Sequence, residues 1–274
     1  MRAQLYRSFS WPLAKRLRAD LQVRVVGGST MRVRTDDAVG RALAVSGTWE
    51  PNVTSIFIRD LSPDDVCLDV GAHIGYYTLL ASKLVGATGH VYAFEPSPVN
   101  YRSLSGNLAR NNVANVTASN VAVGASSGQA ILHEGPGTNT GRATVTPISD
   151  DASADRRDVI VDVRPIEELV PKDDLPRIRL VKIDVEGSEL DVLRSLEPVL
   201  AAGQPITLLL EFTAGWSDDA HAGAYVEELC RRHGLARYRL MTGYTLRHFF
   251  PSELDEPFEI DSIPHDQCDL LLTR

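Results

Sequence analysis

The sequence predicts an α/β fold, a mostly parallel sheet with helices on both of its faces. Two observations carry that expectation. From Val66 onward, short apolar runs bounded by turn residues alternate with stretches of helical periodicity. The chain is also long enough, at 274 residues of which 43% are hydrophobic, to bury a large core without disulfides or structural metal.

The elements follow in order. Residues 1–60 hold short helical patterns punctuated by Val26-Gly-Gly-Ser29 and are expected to form a helical extension on the acceptor side. Val66-Cys-Leu-Asp-Val70, between Pro63 and Gly71, reads as a first buried strand. Tyr76 to Val85 has a helix pattern ended by Gly86, and His90 to Phe94 is the second strand. Ser97-Pro98 places a capping residue before a first-turn proline, so a helix starts there and runs to about Asn111. Val116 to Val123 is the third strand. Residues 133–158 are rich in glycine, then in aspartate, and read as a polar insertion with room for one hairpin. Ile178 to Val185 is the fourth strand, and Ser188 to Ala201 a helix with Leu190, Leu193, Leu196 and Leu200 on one face. Ile206 to Phe212, a helix from Ala220 to His233, and strands at Tyr238 to Met241 and Cys268 to Leu272 complete a domain spanning 61–274.

Charge and cysteine use narrow the functional classes. A net charge of −8 argues against nucleic acid, whose affinity rests largely on neutralised phosphates. Up to residue 34, however, eight basic residues face Asp20 alone. That segment is expected to be a solvated or self-associating surface, with contact to a membrane or an acidic acceptor as the alternative. Cys67, Cys230 and Cys268 match no metal-ligand spacing. Their odd number, with no apolar leader or membrane-length run, leads to the expectation of a cytoplasmic protein.

The chemistry gathers at strand ends, where sheets of this kind bind ligands. The first strand runs into Asp69-Val-Gly-Ala-His-Ile-Gly75, a glycine turn that lets backbone approach a ligand. The second ends in Glu95-Pro96, an acid 24 residues beyond Gly71 and placed to grip a ribose. A nicotinamide fingerprint would need glycine where His73 and Tyr76 stand, which counts against a dehydrogenase. Asp69, two positions before the first glycine, suits a ligand with an ammonium group, such as the methionine end of S-adenosylmethionine. The fourth strand ends in Lys182-Ile-Asp-Val-Glu-Gly-Ser-Glu189. Lys182 and Asp184 share one side of it, and an ammonium in an apolar strand needs a carboxylate partner. Glu186 and Glu189 could instead favour the N-terminus of the next helix. Glu211 closes the fifth strand at the same sheet edge.

These segments resemble the FkbM family of methyltransferases. The likeness is carried by Asp69-Val-Gly-Ala-His-Ile-Gly-Tyr-Tyr-Thr78, Ala93-Phe-Glu-Pro-Ser-Pro98, Asn120-Val-Ala-Val-Gly124 and Val181-Lys-Ile-Asp-Val-Glu-Gly-Ser-Glu-Leu190. It runs from Gly47-Thr-Trp-Glu-Pro51 to about Phe212, with Lys-Ile-Asp-Val-Glu-Gly as its most distinctive part. The resemblance implies a Rossmann-like class I methyltransferase fold with a seven-stranded sheet, and S-adenosylmethionine as methyl donor. It implies a hydroxyl acceptor on a polyketide, sugar or other secondary metabolite. The cofactor-binding set so implied is Asp69, Gly71, His73, Gly75, Thr78, Glu95, Pro96, Ser97, Asn120 and Ala122. Glu50, Asn139 and Glu211 would face the acceptor; Asp184 or Glu186 would act as base, with Lys182 beside them. His73 departs from the family pattern, which carries asparagine there.

Methyl transfer is an in-line displacement at an activated carbon, so alignment of donor and acceptor does most of the work. A base that removes the hydroxyl proton adds about 10²–10⁴-fold. The expectation is catalysis without metal, on a small-molecule acceptor, by a chain that binds no nucleic acid and admits a homodimer. Four other readings stay open. Asp184, Glu186 and Glu211 could hold Mg²⁺ in a metal-assisted O-methyltransferase, or the acceptor could be a nitrogen. A nicotinamide oxidoreductase and a non-catalytic S-adenosylmethionine binder are the remaining two.

Overall fold

In a computed structural model, the structure describes residues 19–134, 143–146, 157–185, 187–212, 221–242, 249, 253–264 and 267–274. The chain opens with a hairpin, β1 (Asp20–Arg24) and β2 (Thr30–Arg34), followed by α1 (Ala38–Ser46) and α2 (Pro51–Asp60). The α/β alternation then runs β3 (Val66–Val70), α3 (Tyr76–Val85), β4 (His90–Phe94), α4 (Pro98–Arg110) and β5 (Val116–Ser119). A second sheet is formed by β6 (Ala122–Val123), β7 (Gly128–Glu134), β8 (Ala143–Thr146) and β9 (Arg157–Arg164), after which a short α5 (Ile166–Leu169) returns to the main layer. There follow β10 (Ile178–Ile183), α6 (Glu189–Ser195), α7 (Glu197–Ala201), β11 (Thr207–Phe212), α8 (Ala222–His233), β12 (Ala236–Leu240), β13 (Phe258–Glu259) and β14 (Cys268–Thr273).

The main sheet has the order β13-β12-β14-β11-β10-β3-β4-β5. From β11 to β5 it is parallel, and β14, β12 and β13 run antiparallel at one end. The resemblance implied seven strands; the eighth is the two-residue β13. The chain builds outward from β3 to β5, then returns to add β10 and β11 on the other side of β3. The reversal leaves a crevice beyond the carboxyl ends of β3 and β10, the place where open sheets of this kind take ligands. One core fills the face under α6, α7 and α8, centred on Val181, Leu193, Leu208 and Leu270. A second fills the other face, centred on Phe57, Leu79, Leu180 and Leu271. No described helix is long and apolar enough to cross a membrane.

Four sequence expectations change. Residues 20–34 are a hairpin and not helical: Met31 and Val33 turn inward while Arg32 and Arg34 face out, the two-residue period of a strand. The side chain of Asn107 accepts from Arg32 N at 2.8 Å and that of Asn111 from Thr30 N at 2.9 Å, which ties the hairpin to α4. The basic residues at 2–18 lie outside the described residues. The third strand breaks at Asn120, whose side-chain amide donates to Glu95 O and Pro96 O, both at 2.8 Å, and draws the chain out of the sheet. Ala122 and Val123 therefore pair with β9 and not with β4. The insertion is a sheet reaching from 122 to 164, larger than one hairpin. The helix from Ser188 to Ala201 is interrupted at Leu196, because Pro198 has no N–H to offer Arg194 O.

The described part of the N-terminal region shares the second core. Phe57 of α2 is fully buried and stacks on Tyr77 of α3, ring centroids 4.8 Å apart. Phe57→Ala should cost about 3–5 kcal/mol of stability, as for other buried aromatic truncations. In denaturant titration it should shift one cooperative transition. A separate early transition would show that residues 20–60 fold on their own.

Candidate functional site

A cavity of about 690 Å³ opens at the crevice, within the usual range for small-molecule sites. Its floor is the turn after β3. Gly71 and Gly75 have φ of +83° and +91°, which favours glycine, and their neighbours are protein. A Cβ at Gly71 would lie 1.8 Å from Asp184 O, and one at Gly75 would lie 2.6 Å from the Leu104 side chain. The glycines thus bring β3 against β10 and α4; only Gly71 reaches the cavity wall. His73 also adopts a left-handed conformation, φ +50°, one that few residues other than glycine, asparagine, aspartate and histidine take up. Its imidazole lines the cavity, and burial holds it below the ordinary pKa, in the neutral form.

Glu95 stands on the wall just after β4. Its Oε2 accepts from His73 N at 2.8 Å and its Oε1 from Ser97 N at 2.9 Å, so one carboxylate clamps the glycine turn to the start of α4. Burial raises its pKa to about 7, against the hydrogen bonds from Ser97, His73 and Asn100. Ser97 caps α4 and Asn120 holds the Glu95-Pro96 loop from behind. Neither lines the cavity, whereas Pro96 and Ala122 do.

Asp69 lies beneath the turn, 1% exposed, and is not on the cavity wall. Thr78 Oγ1 donates to its Oδ2 at 2.5 Å, while Oδ1 finds no hydrogen-bond partner among the described residues. Burial raises its pKa, opposed by Lys182 and the Thr78 hydrogen bond. The expected cofactor residues therefore divide. Gly71, His73, Glu95, Pro96 and Ala122 reach the cavity; Asp69, Gly75, Thr78, Ser97 and Asn120 hold those that do.

The opposite wall carries the expected pair. Lys182 Nζ and Asp184 Oδ2 are 2.8 Å apart, the lysine buried and 30% of the aspartate side chain exposed. Burial pushes the ammonium's pKa down, but Asp184, Asp69 and Glu50 outweigh it and raise the group above its ordinary value. For Asp184, burial works toward protonation, yet Lys182 and a hydrogen bond from Glu211 keep it below the usual carboxylate range. Glu211 is raised to about 10, chiefly by the charge of Asp184 and then by burial, so it is the protonated partner. Glu50 sits at the start of α2 with φ +39°; burial raises it to about 8, and Tyr77 Oη donates to its Oε2 at 2.9 Å. Glu186 and Asn139 lie outside the described residues.

Several wall residues carried no sequence signal strong enough to name. Trp49 and Tyr76 add aromatic surface, and the segment from Val121 to Ala130 forms one side. Asp269, half-buried in β14, lies next to Glu211; desolvation raises its pKa to about 6. An acid inside the apolar run Cys268-Asp-Leu-Leu-Leu272 was the clue available. Among the described residues, no group of three or more His, Cys, Asp or Glu has the arrangement of a metal site.

Comparison with known proteins gives the same picture. Residues 69–235 match a family model described as the methyltransferase FkbM domain. The hexuronic acid methyltransferase AglP of Haloferax volcanii is 30% identical over 159 residues, covering 55% of this chain and 58% of that protein. The 31-O-demethyl-FK506 methyltransferase FkbM of Streptomyces tacrolimicus is 46% identical over 56 residues, 20% of this chain and 21% of its own. The chain thus spans less than two thirds of either relative. A crystal structure of a methyltransferase FkbM from Methylobacillus flagellatus aligns with a TM-score of 0.47 at 14% identity, covering 80% of this chain and 50% of the other.

The raised carboxyls predict an unusual pH dependence of stability. Glu50, Glu95, Glu211 and Asp269 hold protons in the folded chain at pH values where the unfolded chain has lost them. Their contribution is complete below about pH 4 and is lost as pH rises through the folded values. His73 and His90, with pKa values lowered by burial, work in the other direction but are two groups against four. The melting temperature should fall by at least a few degrees from pH 5 to pH 8, and less steeply in Glu211→Gln. A flat or rising profile would show that these carboxyls ionise freely.

Proposed function

This chain belongs to the FkbM methyltransferase family, and on that premise we propose that it transfers the methyl group of S-adenosylmethionine to a hydroxyl of a small molecule. The observation that carries the reading is that one cavity joins Glu95 and the glycine turn on one side to Asp184 and Glu211 on the other. A nucleoside end and a reacting end are thereby set against each other across the switch point of the sheet.

The residues present fit the donor. The Glu95 carboxylate takes hydrogen bonds from His73 N, Ser97 N and Asn100, which hold it in place and leave acceptor capacity on the cavity wall for a ribose hydroxyl. The unpartnered Oδ1 of Asp69 is a negative dipole under the floor of the cavity, favourable to a cationic ligand above it. When bound, S-adenosylmethionine supplies an electrophilic methyl carbon. The chain's own residues must place the acceptor oxygen in line, exclude water and take a proton. Asp184 is ionised at neutral pH and open to the cavity, so it can accept a hydrogen bond from the acceptor hydroxyl and draw off its proton.

The acceptor in this reading is uncharged at its reacting end. Glu50, Glu95, Asp184, Asp191 and Glu211 line the cavity, while Lys182, its cationic side chain among the described residues, is already paired with Asp184. An anionic acceptor or a nucleic acid would meet acids with no cation left to balance it. Metal-assisted transfer and a nitrogen acceptor are set aside in this proposal. A lysine already occupies the negative field of Asp184, and a protonated Glu211 offers a hydrogen, not a lone pair, toward it.

Titration calorimetry with S-adenosylmethionine and with NAD tests the cofactor. The first should bind and the second should not; the reverse would return the dehydrogenase reading. Glu95→Ala should weaken S-adenosylmethionine binding by one to two orders of magnitude, the loss of a charged acceptor worth about 1.5–3 kcal/mol. Asp184→Asn should bind S-adenosylmethionine within a few-fold of the unaltered chain. Its turnover on hydroxylated acceptors, assayed with and without chelator, should fall by at least ~10²-fold. A normal rate would take the base role from Asp184, and a rate abolished by chelator would restore the metal.

A further inference from the structure

Three carboxyl groups stand side by side on three neighbouring strands. Ile183 of β10 is in register with Leu210 of β11, so Asp184 falls beside Glu211. Glu211 is in turn the direct antiparallel partner of Asp269 on β14. Residues level with each other on adjacent strands point to one side of a sheet, about 5 Å apart. Asp184, Glu211 and Asp269, with Glu50 facing them from the start of α2, line a small niche that also receives Lys182.

The hydrogen bonding fixes how this row is charged. Asp184 and Glu211 stand side by side on β10 and β11 and line the same niche, at the spacing where one carboxyl can hydrogen-bond the other. Two carboxylates repel and have no hydrogen to share, so such a bond requires a proton on one of them. Lys182 donates to Asp184, which leaves the proton on Glu211. Further along, Gln267 Nε2 donates to Glu211 Oε1 at 2.7 Å and Thr242 Oγ1 donates to Asp269 Oδ2. The row has one ammonium for four acids, Glu50 included, and the buried Asp69 draws on the same lysine. It cannot be fully ionised. Tyr77, bonded to Glu50, and the neutral His73 lie beside it, and Glu95 and Glu189 feel the charge of Asp184 from the neighbouring elements.

We propose that Asp184, Glu211 and Asp269 form one proton-holding unit that exchanges a proton for the positive charge on the cofactor's sulfur. This rests on the S-adenosylmethionine reading above. A sulfonium held near Asp184 would stabilise ionised carboxylates, and the row would then give up part of its proton to solvent. In transfer, the acceptor O–H bond breaks and its proton passes to Asp184. The acceptor oxygen bonds the methyl carbon, and the C–S electron pair returns to sulfur. Sulfur loses its positive charge in the step in which the row gains a proton, so the total charge of the site is unchanged. Glu211 and Asp269 are positioning residues here: they set how readily Asp184 takes the proton without touching the methyl group.

The test needs no acceptor. S-adenosylmethionine and S-adenosylhomocysteine share the ribose, adenine and amino-acid groups, and differ at sulfur by one methyl and one charge. Each is titrated calorimetrically at pH 6, 7 and 8 in buffers of different ionisation enthalpy, which gives the protons released on binding. S-adenosylmethionine should release more than S-adenosylhomocysteine, by about half a proton near the pH at which the row titrates. Whatever Glu95 contributes through the ribose cancels in that difference. Glu211→Gln and Asp269→Asn should each shrink it to less than half, with S-adenosylhomocysteine affinity within threefold as the check on folding. Glu228→Gln, exposed on α8, should leave it unchanged. Equal proton release by the two ligands overturns the inference while leaving the cofactor reading intact, as does a difference that survives in the double variant. Failure of both ligands to bind removes the cofactor reading, and the inference falls with it.

Discussion

The buried ammonium of Lys182 is the constraint to which the rest of the site conforms. It lies within the apolar strand β10, where an unpaired charge would cost far more than any single contact could return. Asp184 answers it from two residues further along the same side, and Asp69 from the adjacent β3, with which Lys182 is in register. Asp184 is thus held ionised and pointed at the cavity, and the backbone bond from Asp184 N to Val70 O fixes where β10 ends. Such a pair adds little net stability over an apolar substitute, yet removing one partner would leave a bare charge inside. Its consequence is specificity of placement: the carboxylate that faces the cavity cannot move without stranding the lysine.

The same economy shapes the floor. Gly71 is required less by the ligand than by Asp184, whose carbonyl occupies the space a side chain would need. The glycine turn, the ion pair and the end of β10 are therefore one packing unit. Glu95 repeats the device on the other side, bonding the backbone of His73 in the turn and of Ser97 at the start of α4. Each carboxylate both builds the wall and presents lone pairs to it, so the site is preorganised before any ligand arrives.

How far the residues announced this depends on whether the signal was local. Strands β3 and β4, helix α3 and the capped start of α4 could be read closely, because apolar period, glycine and proline act over a few neighbours. Lys182 with Asp184 was readable for the same reason: two residues on one strand side, and an electrostatic need. The break at Asn120 was not, since it depends on a side chain bonding the loop after β4, 25 residues away in sequence. The N-terminal hairpin was masked by arginines that read as a helix face until Met31 and Val33 are seen to alternate with them. Asp69 was expected on the cavity and lies off its wall, because sequence spacing says which strand end a residue occupies and not which layer. Asp269 enters the site only through the antiparallel pairing of β11 with β14, a contact that no local pattern encodes.

The second sheet gives the cavity a firm wall at residues 121–130, just ahead of the polar insertion expected at 133–158. Val121 and Val123, at its root, are buried in the main core together with Ile166 of α5, so the excursion is anchored where it leaves the core and where it returns. Between these anchors β6 pairs with β9 and β9 with β7, and Ala122, Leu132 and Val161 pack as a small core of their own. The segment Gly124–Ala130, which faces the cavity, is thereby held at both ends by strands and further fixed by Ser127 on Glu168 and Gln129 on Asp162. A free loop would lose about 1–2 kcal/mol of backbone entropy for each residue it ordered around a ligand. Here folding has already absorbed that cost, and in the proposed reaction more of the binding energy of a small acceptor would be left for alignment with the donor, the term on which methyl transfer chiefly depends.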